Sequence, residues 1–363
     1  NRGFTDPVPA KHEQRYREKG IDTYHGRARF SGPNTIEVGD ESLDAKHVLI
    51  ASGAEPIKLG IAGKECLTTS EEFLALPELP KRIALVGGGY IAAEFSHIAA
   101  RAGAQVTVLQ RGPRLLDGFD SDLVGWLMES FVTIGVDVRL QATVTAIEKT
   151  DSGYRVHCTS HGRASTVDAD LVVHAAGRAP VLESLDLAAA GLARKHGRLV
   201  LNEYLQSVSN PSVFAAGDAA QAGPPLTPVS SHDAKVVVAN LLHGNHRRPD
   251  YRGVPSVVFT IPPMATVGLT EAEAREQGLN FRVKAQRASD WFTARQAAEP
   301  VYGFSVLVDE DSDQILGAHL VGPHADEVIN LFALAIRHGL TAANLKSTMF
   351  AYPTGASDIG SMV

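Results

Sequence analysis

The sequence predicts an α/β fold whose parallel strands end at glycine-rich turns, and three observations carry that expectation. The first is Lys81–Arg114, KRIALVGGGYIAAEFSHIAARAGAQVTVLQRGPR, which reads as strand, glycine turn, helix and second strand. The second is that three further strands end at small or glycine-rich turns, near Ser52, Gly177 and Asp218. The third is a change of pattern near Tyr251. Beyond it, strands at Val257–Thr260, Phe304–Asp309 and Ile315–Val321 and a helix at Ala325–His338 are expected.

Taken in order, Asn1–Gly20 is polar and reads as the end of a longer element. Thr23–Val38 alternates apolar positions around a Gly32-Pro33-Asn34 turn, the pattern of antiparallel strands. Lys46–Ala51 has the composition of a buried strand and runs into Ser52-Gly53-Ala54-Glu55-Pro56. Arg82–Val86 is a second such run and stops at Gly87-Gly88-Gly89. Tyr90–Ala102 follows helical spacing, with Ile91, Phe95, Ile98 and Ala99 on the expected buried face, and Gly103 ends it. Gln105–Leu109 starts the next strand, and Leu115–Gly135 holds a helix. Val136–Leu140, Ala142–Glu148 and Tyr154–Thr159 read as strands, the last two joined at Asp151-Ser152-Gly153. Leu171–Ala175 and Ser212–Ala216 are further buried strands, ending at Gly177-Arg178 and Gly217-Asp218, and Ser230–His243 is a helix.

The glycines of the first unit have separate duties. Gly87 permits the tight turn, Gly89 lets the backbone approach a pyrophosphate, and Ala92 fills the third small position. The helix behind them offers free N–H groups and a partial positive charge, so the unit is expected to hold a dinucleotide. Ligands lie beyond the carboxyl ends of parallel strands. The turns at Ser52-Gly53, Gly177 and Asp218 therefore suggest more than one nucleotide site. Asp218 is placed where a short carboxylate can accept hydrogen bonds from sugar or polyol hydroxyls, although Gly217-Asp218 could also be only a turn.

With 363 residues the chain has room for two or three domains. Its 34 basic and 41 acidic residues give a net charge of −7, which argues against a nucleic-acid partner. No apolar run is long enough for a bilayer and no signal peptide is seen, so no membrane partner and a cytoplasmic location are expected. Cys66 and Cys158 are far apart and read as unpaired thiols, and the fourteen histidines lack ligand spacing, so no metal site is expected.

With these pieces in order, the chain resembles the FAD-dependent pyridine nucleotide–disulfide oxidoreductases. That family includes glutathione reductase, mercuric reductase, dihydrolipoamide dehydrogenase and soluble pyridine nucleotide transhydrogenase. The motifs that carry the resemblance run in family order. They are VLIASGAEP (Val48–Pro56), RIALVGGGYIAAEF (Arg82–Phe95), HAAGRAP (His174–Pro180), VFAAGD (Val213–Asp218), LTPV (Leu226–Val229), VVFTIPPMATVGLTEAEA (Val257–Ala274) and ILGAHLVGPHADE (Ile315–Glu327). The resemblance implies two Rossmann-like nucleotide-binding domains and an α+β C-terminal dimerisation domain. On that plan residues 1–56 and 180–251 form the FAD-binding domain, 57–179 the inserted NAD(P)-binding domain, and 252–363 the interface domain. FAD and NADP (or NAD) are the implied cofactors, and a homodimer acting on a small-molecule electron acceptor is the implied assembly. The apolar faces of Leu331–Ile336, Phe304–Leu307 and Ile315–Val321 are expected to need that partner surface.

Two departures from the family pattern stand out. The family opens with its own strand, GxGxxG turn and helix for the FAD pyrophosphate, followed by a CxxxxC redox disulfide. Neither is in this sequence, so a fragment with an incomplete FAD domain is expected. The family also ends with His-Pro-Thr followed by a Glu, the acid–base pair that serves the dithiol. Here the segment is Tyr352-Pro353-Thr354-Gly355-Ala356-Ser357-Asp358, with Tyr352 at the His position and Ser357 at the Glu position. Soluble transhydrogenase is similar in having Tyr-Pro-Thr at this point.

The resemblance also implies roles for residues. Asp218 becomes the flavin ribityl contact. Leu226, Thr227 and Pro228 open a helix whose N-terminus points at the flavin pyrimidine edge. Thr227 suits the N-cap and Pro228 the first helical position, and a plain cap fits those residues equally well. Tyr90 would cover the nicotinamide pocket, with an ordinary core or surface tyrosine as the alternative. Glu94 would lie near the flavin and pair with a lysine beside the disulfide, a residue this sequence does not contain. Ile91, Val144 and Gly177 fall where the family lines the nicotinamide nucleotide. An NAD enzyme places an acidic residue about 20 residues past the glycines, on the ribose 2′-hydroxyl. This chain has Gln110 there, then Arg111 and Arg114, which favours a 2′-phosphate and hence NADP. The second phosphate arginine of glutathione reductase falls on Asp117, so the pattern is nearer to mercuric reductase. Tyr352 could donate a proton weakly, but packing at the dimer interface is the preferred reading.

The expected activity is hydride transfer from nicotinamide to FAD and on to a disulfide or other acceptor. The lost His and Glu argue against efficient dithiol chemistry. They leave transhydrogenation, or quinone or metal reduction, as the alternative. A non-catalytic nucleotide-binding dimer is the third reading.

Overall fold

The computed structural model describes residues 2–363; Asn1, where the polar leading segment begins, lies outside them. The chain forms two compact units that interleave in sequence. One contains the chain up to Glu55 together with Pro180–Asp250, the other Pro56–Ala179 together with Tyr251–Val363.

In the first unit the polar leading segment forms helix Val8–Glu18, which has no buried residue. Ala28–Phe30, Thr35–Val38 and Glu41–Asp44 make an antiparallel sheet. The last strand has no apolar alternation to announce it; pairing with Thr35–Val38 holds it extended. Val48–Ile50 and Val213–Ala215 pair in parallel, Ile50 opposite Ala215. Burial holds for Ile50 and fails for Leu49, which is 39% exposed, because successive side chains of the strand point to opposite faces. Phe30, Ile50, Leu182, Leu187, Leu199 and Val213 form the core beneath these strands. Helix Thr227–His243 follows, burying Val229, Val236 and Val237.

The second unit holds a four-stranded parallel sheet in the spatial order Leu171–His174, Arg82–Val86, Gln105–Leu109, Asp137–Arg139. Arg82–Val86 is central and buried at four of its five residues, which explains its unbroken apolar character. Helix Tyr90–Arg101 buries Ala92, Ala93, Phe95, Ser96, His97 and Ala99. Ile98 is therefore misassigned by the helical spacing. It is 53% exposed, and the buried stripe is centred on the small residues and His97 instead. The helix within Leu115–Gly135 begins only at Ser121, where the Asp120 carboxylate accepts from the N–H groups of Asp122 and Leu123. Leu115, Leu116 and Phe119 are buried as loop.

Ala142–Thr150, Gly153–Ser160 and Arg163–Ala169 form an antiparallel sheet in the same unit. Its last strand is polar and mostly exposed, an edge strand that apolar patterning does not reveal. The C-terminal part builds a five-stranded antiparallel sheet in the order Ser256–Val258, Met264–Gly268, Ile315–Val321, Gly303–Asp309, Phe281–Arg287. Its interior strand Gly303–Asp309 is buried at every residue but the last. Helix Ala325–His338 packs on one face of this sheet and helix Ser121–Thr133 on the other. Trp126 of the latter lies so close to Gly303 that a Cβ there would stand 2.3 Å from its ring. The strands Phe304–Leu307 and Ile315–Val321 are thus covered within the chain and need no partner surface. The large apolar side chains left exposed in this part include Phe292, Leu334, Met349 and Tyr352.

Phe332, on helix Ala325–His338, packs against that sheet and is fully buried with Phe304, Val306 and Ile329. Replacing it with alanine removes a ring from a close-packed core. Phe332→Ala should cost about 3–5 kcal/mol of unfolding free energy, read as a lower urea midpoint at unchanged slope.

Candidate functional site

The parallel sheet of the second unit reverses its direction of growth at Arg82–Val86. The chain proceeds from there to Gln105–Leu109 on one side, while Leu171–His174 returns on the other. A crevice at the carboxyl edge follows from that topology. Gly87 occupies it with φ +122°, and a Cβ there would stand 2.1 Å from the Ala175 carbonyl oxygen. The glycine is needed both for backbone angle and for the close approach of the next strand's end. At Gly88 a Cβ would meet Gln110 and Leu115 side-chain carbons at 2.7 Å, a packing reason the motif does not display. At Gly89 a Cβ would meet nothing within 4 Å. Gly89 is the N-cap of helix Tyr90–Arg101 and lends it no side-chain cap, so the first-turn N–H groups face open space. That geometry fits an anionic pyrophosphate.

At the end of Gln105–Leu109, Gln110 Nε2 donates to the Arg114 carbonyl at 3.0 Å and braces the loop. The Arg114 guanidinium donates to the Asp117 carbonyl at 2.6 Å and lies 3.4 Å from its carboxylate. Arg111 is exposed, and its guanidinium makes no ion pair among the described residues. Val144 is buried on Ala142–Thr150. Gly177, at φ +112°, is exposed in the turn after Leu171–His174.

Helix Tyr90–Arg101 carries a stripe of polar side chains at Tyr90, Glu94, His97 and Arg101, and all four bond to one segment. The Tyr90 hydroxyl and Ser256 Oγ are 2.5 Å apart. Glu94 Oε1 accepts from the Phe259 N–H at 3.0 Å, and His97 Nδ1 accepts from the Ile261 N–H at 3.2 Å. Arg101 donates to the Ile261 carbonyl at 3.2 Å. The spacing of four, three and four residues places them on one helix face. Burial raises the carboxyl pKa of Glu94 against the effect of the Phe259 N–H. Burial, and then the nearby Glu94 charge, raises the Tyr90 phenol against the effect of Ser256. His97 is 1% exposed, and burial followed by Arg101 lowers its pKa to about 4. Because Nδ1 accepts, Nε2 carries the proton, yet it has no hydrogen-bond partner. The ring instead meets Phe131 edge-on at 4.5 Å, an arrangement in which N–H can lie against a π face. The helical spacing was visible in the sequence; the partner segment was not. Ile91, just after Tyr90, is partly buried against the core.

The other candidate residues belong to the first unit. Ser52 and Asp218 follow the paired strands Val48–Ile50 and Val213–Ala215, so both turns leave the same sheet edge. Ser52 Oγ donates to the Val181 carbonyl at 2.7 Å, and Gly53 turns the chain at φ +70°. Asp218 is half-buried in the short turn Gly217–Ala219. A residue the sequence reading missed, Asp233, accepts the Gly217 N–H at 3.0 Å from within helix Thr227–His243. Thr227 is not the N-cap of that helix. Leu226 holds the extended cap position, and its carbonyl accepts from Val229 and Ser230 N–H groups, leaving Thr227 and Pro228 as the first two helical residues. The cap offers no side-chain acceptor, and with Pro228 lacking an N–H and the Val229 and Ser230 N–H groups already bonded, the Thr227 N–H is the first-turn donor this helix leaves open.

Tyr352 lies in the C-terminal part of the second unit. It is 73% exposed with its ring 5.8 Å from that of Phe292. Asp358, six residues on, accepts from the Tyr302 hydroxyl at 2.7 Å, and burial and then this carboxylate raise the Tyr302 phenol well above its ordinary value. Ser357 Oγ donates to the Thr354 carbonyl at 2.6 Å. Neither residue gives Tyr352 an acid–base partner. Among the described residues no group of His, Cys, Asp and Glu could hold a metal ion, and no helix is long and apolar enough to cross a membrane.

A dinucleotide-type glycine turn on a parallel sheet, with a second strand-end site in the other unit, defines a two-nucleotide protein class. Residues 6–234 match the pyridine nucleotide-disulphide oxidoreductase family, and residues 254–363 match the dimerisation domain of that family. The chain therefore belongs to the pyridine nucleotide-disulphide oxidoreductase family, whose members use FAD and NAD(P)H. It is 56% identical over 171 residues to an uncharacterized 19.7 kDa protein in the mercuric resistance operon of Staphylococcus aureus, covering 47% of this chain and 94% of that one. It is 32% identical to mercuric reductase of Lysinibacillus sphaericus over 94% of its own length, and spans 63% of the length of that reductase. The solved structure of the HOCl-induced flavoprotein disulfide reductase RclA from Escherichia coli superimposes with a TM-score of 0.86 at 28% identity, covering 94% of this chain and 79% of that one.

His97 sets a pH limit on the helix stripe. Its pKa of about 4 in the folded chain lies below the ordinary 6.5, so the unfolded chain takes up the proton first as pH falls. The stabilisation is complete above pH 6.5 and is lost progressively towards pH 4. Between pH 6.5 and 5 the wild type should lose up to about 2 kcal/mol relative to His97→Gln, measured by urea unfolding at each pH.

Proposed function

We propose that the chain is an FAD-dependent NAD(P)H oxidoreductase that passes hydride from a nicotinamide nucleotide to FAD and on to a small-molecule acceptor. The observation that carries this reading is the open Gly89 N-cap beside Gly87, within a chain of this family. Together the two cofactors supply a hydride donor and a two-electron acceptor. Residues 57–179 bind the nicotinamide nucleotide; residues 1–56 and 180–251 bind FAD; residues 252–363 form a homodimer in the cytoplasm.

On this reading the N–H groups after Gly89 hold the pyrophosphate. Arg111 receives the 2′-phosphate of NADP, with Arg114 held beside it by Asp117. Tyr90, Ile91, Val144 and Gly177 line the nicotinamide end, and Glu94 fixes the backbone beside them through Phe259. Ser52, Gly53 and Asp218 contact FAD, Asp218 at the ribityl hydroxyls, and the helix opened by Leu226, Thr227 and Pro228 turns its positive N-terminal end to the flavin ring. Tyr352 packs rather than transferring protons. An acceptor that needs no dithiol acid–base pair, such as a quinone, a metal ion or a second nicotinamide nucleotide, suits a chain whose Asp358 is committed to Tyr302.

Binding of NADPH and NADH to the purified full chain tests the cofactor assignment. Arg111→Ala should weaken NADPH by about 1.5–3 kcal/mol and leave NADH nearly unchanged. Equal losses for both nucleotides would make Arg111 structural. Tyr352→Phe should change turnover with quinones or disulfides less than about threefold; a loss of about a hundredfold confined to disulfides would restore a proton-transfer role.

A further inference from the structure

Asp233 is the one carboxylic residue that is fully buried among the described residues, with 0% exposure. An ionised carboxylate taken out of water is costly unless its lone pairs are satisfied. Asp233 lies in the interior of helix Thr227–His243, where its short side chain contributes nothing to helix propensity. Its Oδ2 accepts the N–H of Gly217 at 3.0 Å, and Gly217 opens the turn that carries Asp218. Gly217 has φ +61°, and a Cβ on it would stand 2.6 Å from Ser230 Oγ, so the turn lies directly on the first turns of the same helix. The backbone before it is fixed as well, because the Ala216 N–H donates to the Ile50 carbonyl at 3.1 Å. Asp218 is left half-exposed immediately after this anchored glycine.

We propose that Asp233 is a positioning residue for the FAD site: it clamps the Gly217 N–H so that the Asp218 carboxylate is held in the orientation that receives the flavin's polyol hydroxyls. This rests on the FAD site proposed above. Asp233 itself does not touch the cofactor. It acts through Gly217 and Asp218, as a short side chain reaching across from the helix whose N-terminus forms the other part of the site. The site is thereby pre-organised by the same helix at two points, its N-terminus and its buried carboxylate.

The test measures FAD binding to the full chain by quenching of flavin fluorescence, in four variants. Asp233→Ala should weaken binding about tenfold or more, the loss expected when a charge-assisted hydrogen bond is removed. Asp233→Asn, whose amide oxygen can accept the same N–H, should stay within about threefold of wild type. Asp218→Ala should weaken binding, and adding Asp233→Ala to it should cause no further loss, because the two act as one unit. Additive losses in the double variant, or an unchanged Asp233→Ala, would overturn the proposal. Amide hydrogen exchange of Gly217 provides a readout that needs no cofactor and no variant. Slow exchange in the wild type, accelerated in Asp233→Ala, is the expected result. Fast exchange of this amide in the folded wild type would refute the clamp even if every variant misfolds. Failure of the wild type to bind FAD, with the Gly217 amide protected, would strike the FAD assignment and leave the clamp on the turn standing.

Discussion

A carbonyl oxygen and a missing methyl group set the geometry of the glycine turn after Arg82–Val86. Parallel strands deliver their ligands at the carboxyl edge, and two adjacent strands there must end without colliding. The Ala175 carbonyl occupies the position a Cβ on Gly87 would need, at 2.1 Å. With glycine the two strand ends close up, the chain turns, and the helix begins with its N–H groups uncovered. Any side chain at this point would force the ends apart and displace the start of Tyr90–Arg101, and with it the stripe from Tyr90 to Arg101.

That stripe holds the helix along its length. Apolar residues of the helix bury against the parallel sheet, while Tyr90, Glu94, His97 and Arg101 fix it to the segment from Ser256 to Ile261. Three of the four bonds go to backbone atoms, so they depend on where that segment runs rather than on which side chains it carries. The buried neutral His97 is the weak point in acid, since protonating Nδ1 removes the acceptor that Ile261 requires.

Elements with strong local signals were legible in the sequence. Ile315–Val321 and Ala325–His338 have the boundaries the patterning predicts, and Arg82–Val86 with its glycine turn stands where it was read. Elements defined by a neighbour were not legible. Arg163–Ala169 and Phe281–Arg287 are edge strands whose extended form comes from ladder bonds to one partner. The exposure of Ile98 was misjudged because small residues took the interior face of its helix, and periodicity weights size over fit. The need of the C-terminal strands for an external surface was misjudged because Ser121–Thr133, distant in sequence, covers the face assumed bare. At the candidate loci the motif glycines could be assigned duties in advance. Ser256, His97 and Asp233 could not, because each is defined by a partner remote in sequence.

The interleaving of the two units has a consequence for the order in which the chain becomes structured during synthesis. The pair Val48–Ile50 and Val213–Ala215 encloses the whole of Pro56–Ala179, so its first strand emerges long before its mate and must wait unpaired. The enclosed parallel sheet draws all its strands from within Pro56–Ala179, so its pairing does not wait for the later strand. Loop-closure entropy grows only slowly with loop length, and a folded insert shortens the effective loop further. The insert thus serves as a splint: once formed, it brings the late strand back towards the early one, and the first unit completes after a module it contains in sequence.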